Sequence, residues 1–321
     1  MVRVLITGIS GFVGRHLAQH CAERGDVIFG VARRAIGDSE SLGMARVLQA
    51  DLRDRTATRS ALQASRPDVV YHLAAQSNVP EAWADPAATI TNNIAAEANL
   101  LQSLVDMDHR GAIVVSAGSS ECYGRIQPED NPIRESTPLR PVNPYGVSKA
   151  AQDLLGYQYF ASHGLHIVRM RPFNHIGPGQ SDAFVVPAFA KQIAEIELGR
   201  REAIMVVGNL DAIRDFTDVR DIVEGYRLAA ERAIPGEAYN VGSGAGIAIR
   251  SILDELRALS SASIRVETSE ELLRPSDQPR IVCDSTKFRD ATRWAPIIPL
   301  RDSLQDVLAW WREKLAVGAY P

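Results

Sequence analysis

The stretch Val2-Arg3-Val4-Leu5-Ile6-Thr7-Gly8-Ile9-Ser10-Gly11-Phe12-Val13-Gly14 decides the fold. Val2 to Ile6 is a β-branched and aliphatic run, the pattern of a short buried strand. Gly8, Gly11 and Gly14 follow at GxxGxxG spacing, and Leu17, Ala18 and Cys21 then recur with helical periodicity. Gly25 closes that helix, and Val27 to Ala32 supplies a second strand. Strand, glycine-rich turn, helix and strand form the first unit of a dinucleotide-binding sheet. The glycines permit the turn and let backbone N–H groups at the helix N-terminus approach a pyrophosphate.

The second strand ends in Ala32-Arg33-Arg34. An acidic residue there usually meets the ribose hydroxyls of a cofactor that lacks a 2′-phosphate. Two guanidinium groups suit a 2′-phosphate instead, so NADP(H) is favoured, with NAD(H) as the alternative. Asp51, beside Leu52 at the end of a third strand, is placed to accept a hydrogen bond from an adenine amino group. Residues 56–65 read as a helix, and Val69 to Leu73 as a fourth strand, with His72 a packed core residue. The small residues after it, Ala74 and Ala75, would let a cofactor lie against the strand end. A helix over Asn92 to Val105 carries Ile94, Ala98, Leu101 and Val105 on one stripe, widened by Leu100 and Leu104, and two of its surfaces are expected to be covered.

Ala112 to Ser116 is a further strand, and it leads into Ala117-Gly118-Ser119-Ser120-Glu121-Cys122-Tyr123-Gly124. Small hydroxyls at the carboxyl end of a parallel strand lie where open α/β sheets bind ligands. Beyond a proline-rich, acidic loop comes Asn143-Pro144-Tyr145-Gly146-Val147-Ser148-Lys149, which sets a phenol and an ammonium four residues apart. On a helix these share one face. A nearby ammonium is expected to lower a phenol pKa of ~10 toward neutrality and make the tyrosine a usable general acid or base. Ser119 gains meaning beside that pair, as a hydroxyl donor to a substrate carbonyl oxygen. Strands alternating this regularly with helices imply an α/β protein with a parallel sheet covered on both faces. From Pro172 the pattern loosens. A Gly- and Pro-rich crossing at 171–180 leads to a helix around 185–199, a strand near 203–207, and a terminal helix at 300–315. This half is expected to form a smaller lobe over the sheet's carboxyl edge.

Composition narrows the function classes. Of 321 residues, 45% are hydrophobic and 23% charged, ordinary for a globular protein with a sizeable core. A net charge of −4 and a pI near 6.0 argue against a nucleic-acid binder, so any anionic ligand must be held by local arginines. Cys21, Cys122 and Cys283 form neither a metal spacing nor a disulfide framework, so no metal is expected. With no apolar run of membrane-spanning length and no leader-like start, the chain is expected to be cytoplasmic and off the membrane.

Taken together, these residues resemble the extended short-chain dehydrogenase/reductase family. The match runs through Gly8, Gly11 and Gly14, His72 to Ala75, Ser119, Tyr123-Gly124, Tyr145, Lys149 and Asn174. The resemblance implies a Rossmann-type doubly wound parallel sheet with a smaller C-terminal α/β substrate lobe. Residues 1–172 would form the NADP-binding domain, completed by segments near 216–242 and 284–321. Residues 173–215 and 243–283 would form the substrate-binding lobe. Ser119, Tyr145 and Lys149 would be the catalytic group. Phe12, Val13, Leu52, Leu73 and Pro172 would join the cofactor contacts named above, and a homodimer is suggested.

Within the family, Arg171 to Gln180 and Val207 to Phe216 look like the branch of GDP-4-keto-6-deoxy-D-mannose reductases. Neighbouring GDP-mannose 4,6-dehydratases usually carry a tryptophan where Phe216 stands. They also carry a carboxylate where Glu121 stands, which keeps a dehydratase as the main alternative. A 4-epimerase and a non-catalytic dinucleotide sensor are further ones. The resemblance places Gln76, Ser120, Glu121, Asn174, Lys191, Arg214 and Arg274 at a GDP-sugar substrate. Arginine forks suit its phosphates.

Overall fold

A computed structural model describes residues 1–34, 45–272 and 278–317, with Glu270 described in its backbone alone. The first half alternates as the sequence predicts. It runs β1 (Arg3–Thr7), α1 (Phe12–Glu23), β2 (Val27–Ala32), β3 (Ala45–Gln49), α2 (Arg55–Ser65) and β4 (Val69–His72). Then come α3 (Val79–Ala84), α4 (Pro86–Asp106), β5 (Ile113–Ala117), α5 (Pro144–His163) and β6 (His166–Pro172). The second half holds β7 (Asn174–Ile176), α6 (Val185–Glu197), β8 (Ile204–Val207), β9 (Ile213–Asp218), α7 (Val219–Arg232) and β10 (Ala238–Val241). It closes with β11 (Gly246–Ala248), α8 (Ile249–Ala258), β12 (Arg265–Thr268), β13 (Arg280–Ile281), α9 (Thr286–Thr292) and α10 (Leu300–Ala316).

Seven parallel strands form the main sheet in the order β10-β6-β5-β4-β1-β2-β3. The fold is a Rossmann-type doubly wound sheet. Its connection reverses between β1 and β4, and ligands bind at such a switch point, outside the strands' carboxyl ends. Alternation along β1 serves two cores. Val4 and Ile6 face the cluster with α1, α7 and Trp294, whereas Leu5 faces the cluster with α2, α4 and α5.

Gly14 permits the close approach of α1 to the first turn. A Cβ there would lie 2.3 Å from the Gly8 carbonyl oxygen and 2.7 Å from Ile9 Cα. Both obstacles are backbone, so neither yields by changing rotamer. Gly14→Ala is expected to cost about 1–3 kcal/mol through overpacking. A melting midpoint lowered by about 2–5 °C is the expected readout for a chain of this length; an unchanged midpoint would show that the turn has room to relax.

The smaller lobe has its own core. Ile176, Val186, Phe189, Ile193, Met205 and Val207 pack with Leu253, Leu256, Leu304, Val307 and Trp311. α10 therefore lies on α6 and α8, not on the main sheet, which differs from the expected placement of 284–321; α9 does lie against β10 and α7. The crossing at 171–180 is not wholly irregular. After β6, Phe173 alone separates the main sheet from β7, which pairs in parallel with β9. A three-residue strand specified by a distant partner carries little periodicity of its own.

The helix expected over 92–105 begins six residues earlier, at Pro86, capped by the Asp85 carboxylate on the Ala88 N–H. Its buried face also differs from the expected stripe. Asn93, Ala96, Glu97, Leu100, Leu101 and Leu104 are buried, while Ile94, Ala98 and Val105 are half-buried. α4 packs on the sheet face side by side with α5, and the polar pair Asn93 and Glu97 belongs to that covered face. Among the described residues no helix is long and apolar enough to cross a membrane.

Candidate active site

A cavity of about 980 Å³ opens at the carboxyl edge of the main sheet and extends beneath α6. At one end, Gly8, Gly11, Phe12, Val13 and Gly14 line it. Gly8 has φ +72°, and Gly11 stands at the N-cap of α1 with no side chain capping the first turn. An uncapped first turn leaves backbone donors and the helix dipole's positive end for an anion. Arg33, Asp51 and Leu52 line the same end, as do Leu73, Ala74 and Ala75. Thr7 ties the floor together: its hydroxyl bonds His72 Nδ1 at 2.9 Å and accepts the Ala74 N–H at 3.2 Å. His72 is accordingly a buried core residue whose imidazole burial holds in its neutral form. Asp51 accepts Arg53 Nη2 at 2.5 Å, which pulls its carboxyl down to about 2. It is thus an acceptor throughout the working pH range.

Farther along, Ser119, Ser120, Glu121, Tyr145, Lys149, Pro172, Asn174 and Arg214 line the cavity. The local sequence explains how these come together. Ser119 caps a 3-10 turn, Ser120–Cys122, its hydroxyl accepting the Glu121 N–H at 3.1 Å. Asn143 caps α5 by accepting the Gly146 N–H at 2.7 Å, and its amide donates to Glu121 Oε2 at 2.7 Å. A Cβ on Gly146 would sit 2.5 Å from the Glu121 carbonyl oxygen, so glycine lets the 3-10 turn lie directly on the start of α5. Asn93 completes the clamp. It accepts the Gln76 N–H at 2.8 Å and donates to the Gln76 carbonyl oxygen at 3.0 Å. It also donates to Ser148 Oγ at 2.9 Å.

Tyr145 and Lys149 share the buried face of α5, as i,i+4 spacing requires. Their electrostatics differ from expectation. Burial pushes the Tyr145 phenol up; a hydrogen bond with Ser119 opposes this, while Glu121 adds to it. The Lys149 ammonium donates to the Ala117 carbonyl oxygen at 2.7 Å and stands 5.9 Å from the Tyr145 ring centroid, and burial of the phenol outweighs its pull. Burial lowers the Lys149 ammonium, with the Glu97 carboxylate opposing.

Three expected site residues lie elsewhere. Gln76 turns its amide to the Asn78 carbonyl oxygen at 2.7 Å and to Glu81 at 3.0 Å, away from the cavity. Lys191 is outside the cavity lining and pairs with Asp182 at 2.7 Å, over the Trp311 ring. Arg34 is exposed and does not line the cavity, so Arg33 alone of that pair reaches it. Arg274 lies outside the described residues. The sequence reading missed Asn143 as the link between Glu121 and α5, and His175 and Gln192 as cavity residues. It also missed Glu97, whose signal was a lone carboxylate among the apolar positions of α4. Among the described residues, no group of three or more His, Cys, Asp or Glu could hold a metal.

The family model for GDP-mannose 4,6 dehydratase matches residues 5–307, which span the whole of this geometry. The chain belongs to the GDP-mannose 4,6-dehydratase family. It is similar to the GDP-6-deoxy-D-mannose reductase of Pseudomonas aeruginosa. The two are 33% identical over 316 residues, covering 98% of each chain. A solved structure of RMD from Pseudomonas aeruginosa complexed with NADPH superposes with a TM-score of 0.86 at 33% identity, covering 98% of this chain and 100% of that one. The UDP-glucose 4-epimerase of Thermus thermophilus complexed with NAD gives 0.85 at 28% identity, covering 97% and 99%. The GDP-mannose 4,6-dehydratase family assignment thus coincides with likeness to reductases and epimerases of nucleotide sugars, all built on this one sheet.

Proposed function

We propose that the protein reduces the C4 ketone of GDP-4-keto-6-deoxy-D-mannose to GDP-6-deoxy-D-mannose (GDP-D-rhamnose) as an NADPH-dependent oxidoreductase. The observation that carries the reading is one cavity in which a glycine cradle and Arg33 adjoin Ser119, Tyr145 and Lys149. Likeness to a GDP-6-deoxy-D-mannose reductase along nearly the full chain supports the choice of substrate.

The residues present fit the cofactor. The uncapped start of α1 would hold the pyrophosphate, and Arg33 would meet a 2′-phosphate. NADPH, as in the similar reductase structure, is favoured over NADH. When bound, the nicotinamide supplies the hydride. Ser119 holds the carbonyl oxygen where charge develops. Tyr145 delivers its phenolic proton to that oxygen. Because burial keeps the phenol protonated, it is a donor throughout the neutral range, which suits reduction. Lys149, at the Ala117 carbonyl oxygen, orients the ribose and the Tyr145 side. Arg214 and Asn174 reach the cavity on the sugar-nucleotide side.

Glu121 favours a second reading, a GDP-mannose 4,6-dehydratase, since its carboxylate lines the cavity and is held by Asn143. Incubation with GDP-4-keto-6-deoxy-D-mannose separates the two. Consumption of NADPH, faster than of NADH, with conversion of the C4 ketone to the hydroxyl of GDP-6-deoxy-D-mannose, is the expected result. Release of keto sugar from GDP-mannose without added NADPH would establish the dehydratase and overturn the reductase. We also propose a homodimer through α4 and α5, where Val147, Leu154 and Tyr157 are exposed. A cytoplasmic location is proposed from three free, buried cysteines.

A further inference from the structure

Lys149 is 4% exposed, and its ammonium donates to the Ala117 carbonyl oxygen. A buried ammonium is costly without an opposite charge. The groups facing it come from every element around it. His72 on β4 is neutral, since burial drives its pKa down and Lys149 itself pushes the same way. Burial raises the Cys122 thiol to about 12, so it too is uncharged. Tyr145, one turn earlier on α5, is held protonated. Asp153, one turn later, is spent on Arg169 and Arg171, each at 2.7 Å.

Glu97 on α4 remains. It is fully buried, and its Oε1 accepts the Ser116 hydroxyl at 2.7 Å. Its Oε2 has no well-formed hydrogen bond, and the Gln152 amide beside it acts with Ser116 to favour the charged carboxylate. Ser116 and Ala117 are consecutive on β5, so the anchors of Glu97 and Lys149 are adjacent residues. Glu97 is a fully buried carboxylate with no arginine partner; Glu121, which lines the same cavity as Lys149, is held by the Asn143 amide beside Tyr145.

We propose that Glu97 is a positioning residue for Lys149: its buried carboxylate is the counter-ion that holds the Lys149 ammonium at the Ala117 carbonyl oxygen. This rests on the catalytic role proposed above for Lys149, but the pairing itself is testable without turnover. Burial raises the Glu97 carboxyl while Lys149 opposes, and each group favours the charged form of the other. Removing the carboxylate therefore lowers the Lys149 pKa and brings the alkaline edge of activity to lower pH.

The chain has four lysines, Lys149, Lys191, Lys287 and Lys314, so an ε-carbon-labelled lysine NMR titration of the ligand-free protein resolves each of them. The Lys149 resonance is identified by its loss in Lys149→Met. Glu97→Gln, isosteric and neutral, is expected to lower the Lys149 midpoint by about one pH unit, a tenfold change in proton affinity. The alkaline limb of kcat/KM should move by the same amount. Unmoved midpoints in a folded Glu97→Gln protein overturn the proposal, even if its rate falls, because a purely structural role slows the enzyme without moving the titration. If Glu97→Gln fails to fold, Ser116→Ala decides. Losing the hydroxyl donor weakens the carboxylate, so a smaller shift in the same direction is expected and its absence overturns the pairing. Tyr145→Phe is the separate control: an active variant would sink the catalytic reading, while the lysine titration would still decide the role of Glu97.

Discussion

Tyr145→Phe is expected to lower kcat by about 10²–10⁴-fold, the usual cost of losing a general acid, while KM and NADPH binding change little. The ring remains to fill its place on the first turn of α5, so the substitution removes one oxygen and no packing. Ser119 keeps its own hydrogen bond from the Glu121 N–H, so the carbonyl-binding side of the cavity stays in place. The loss is then confined to proton delivery and falls on kcat. Single-turnover reduction of the keto sugar at saturating NADPH measures it directly. Retention of about a tenth or more of wild-type turnover would exclude the phenol as the acid, given the size of the usual effect.

Asp153→Ala is expected to produce the largest loss of stability. Asp153 stands one turn after Lys149 on α5 and accepts from Arg171 at 3.0 and 2.7 Å and from Arg169 at 2.7 Å. Its side chain is 2% exposed and that of Arg171 6%. Removing one partner of a buried pair leaves the other charge desolvated and costs about 3–5 kcal/mol. A melting midpoint lowered by about 5–8 °C is the expected reading. The same carboxylate fastens α5 to β6, so the Lys149 turn should loosen and kcat fall with it. A midpoint within about 1 °C of wild type would mean that water reaches the guanidinium groups, because a desolvated charge has a far larger effect.

The sequence exposed those parts of the molecule that local spacing dictates. Gly8 and Gly14 announced a turn against a helix start, since Gly8 takes a positive φ and a Cβ on Gly14 would meet backbone at 2.3 Å. Tyr145 and Lys149 announced a shared face because four residues on a helix leave no other arrangement. What long-range packing decides was hidden. Gln76 and Lys191 have the chemistry of binding residues, yet Asn78, Glu81 and Asp182 claim their polar ends. Glu97 looked like one polar residue in an apolar helix, and only the packing of α4 on β5 and against α5 makes it a buried charge. The direction of the Tyr145 shift was misread for the same reason. Spacing puts an ammonium near the phenol, but desolvation outweighs it, and the ammonium is turned to Ala117.

The passage from β6 to β7 through Phe173 alone has a mechanical consequence. The small lobe is not tethered by a slack linker; its first strand prolongs the last strand of the first βα array. The chain passes between sheet and lobe again at Asp218–Val219 and between Val241 and Gly246, so rocking of the lobe must bend several short junctions together, one of them beside the Pro172 wall of the cavity. Lengthening the Phe173 junction by one glycine is therefore expected to loosen one of several joints and to weaken the alignment of Asn174 with the rest of the cavity.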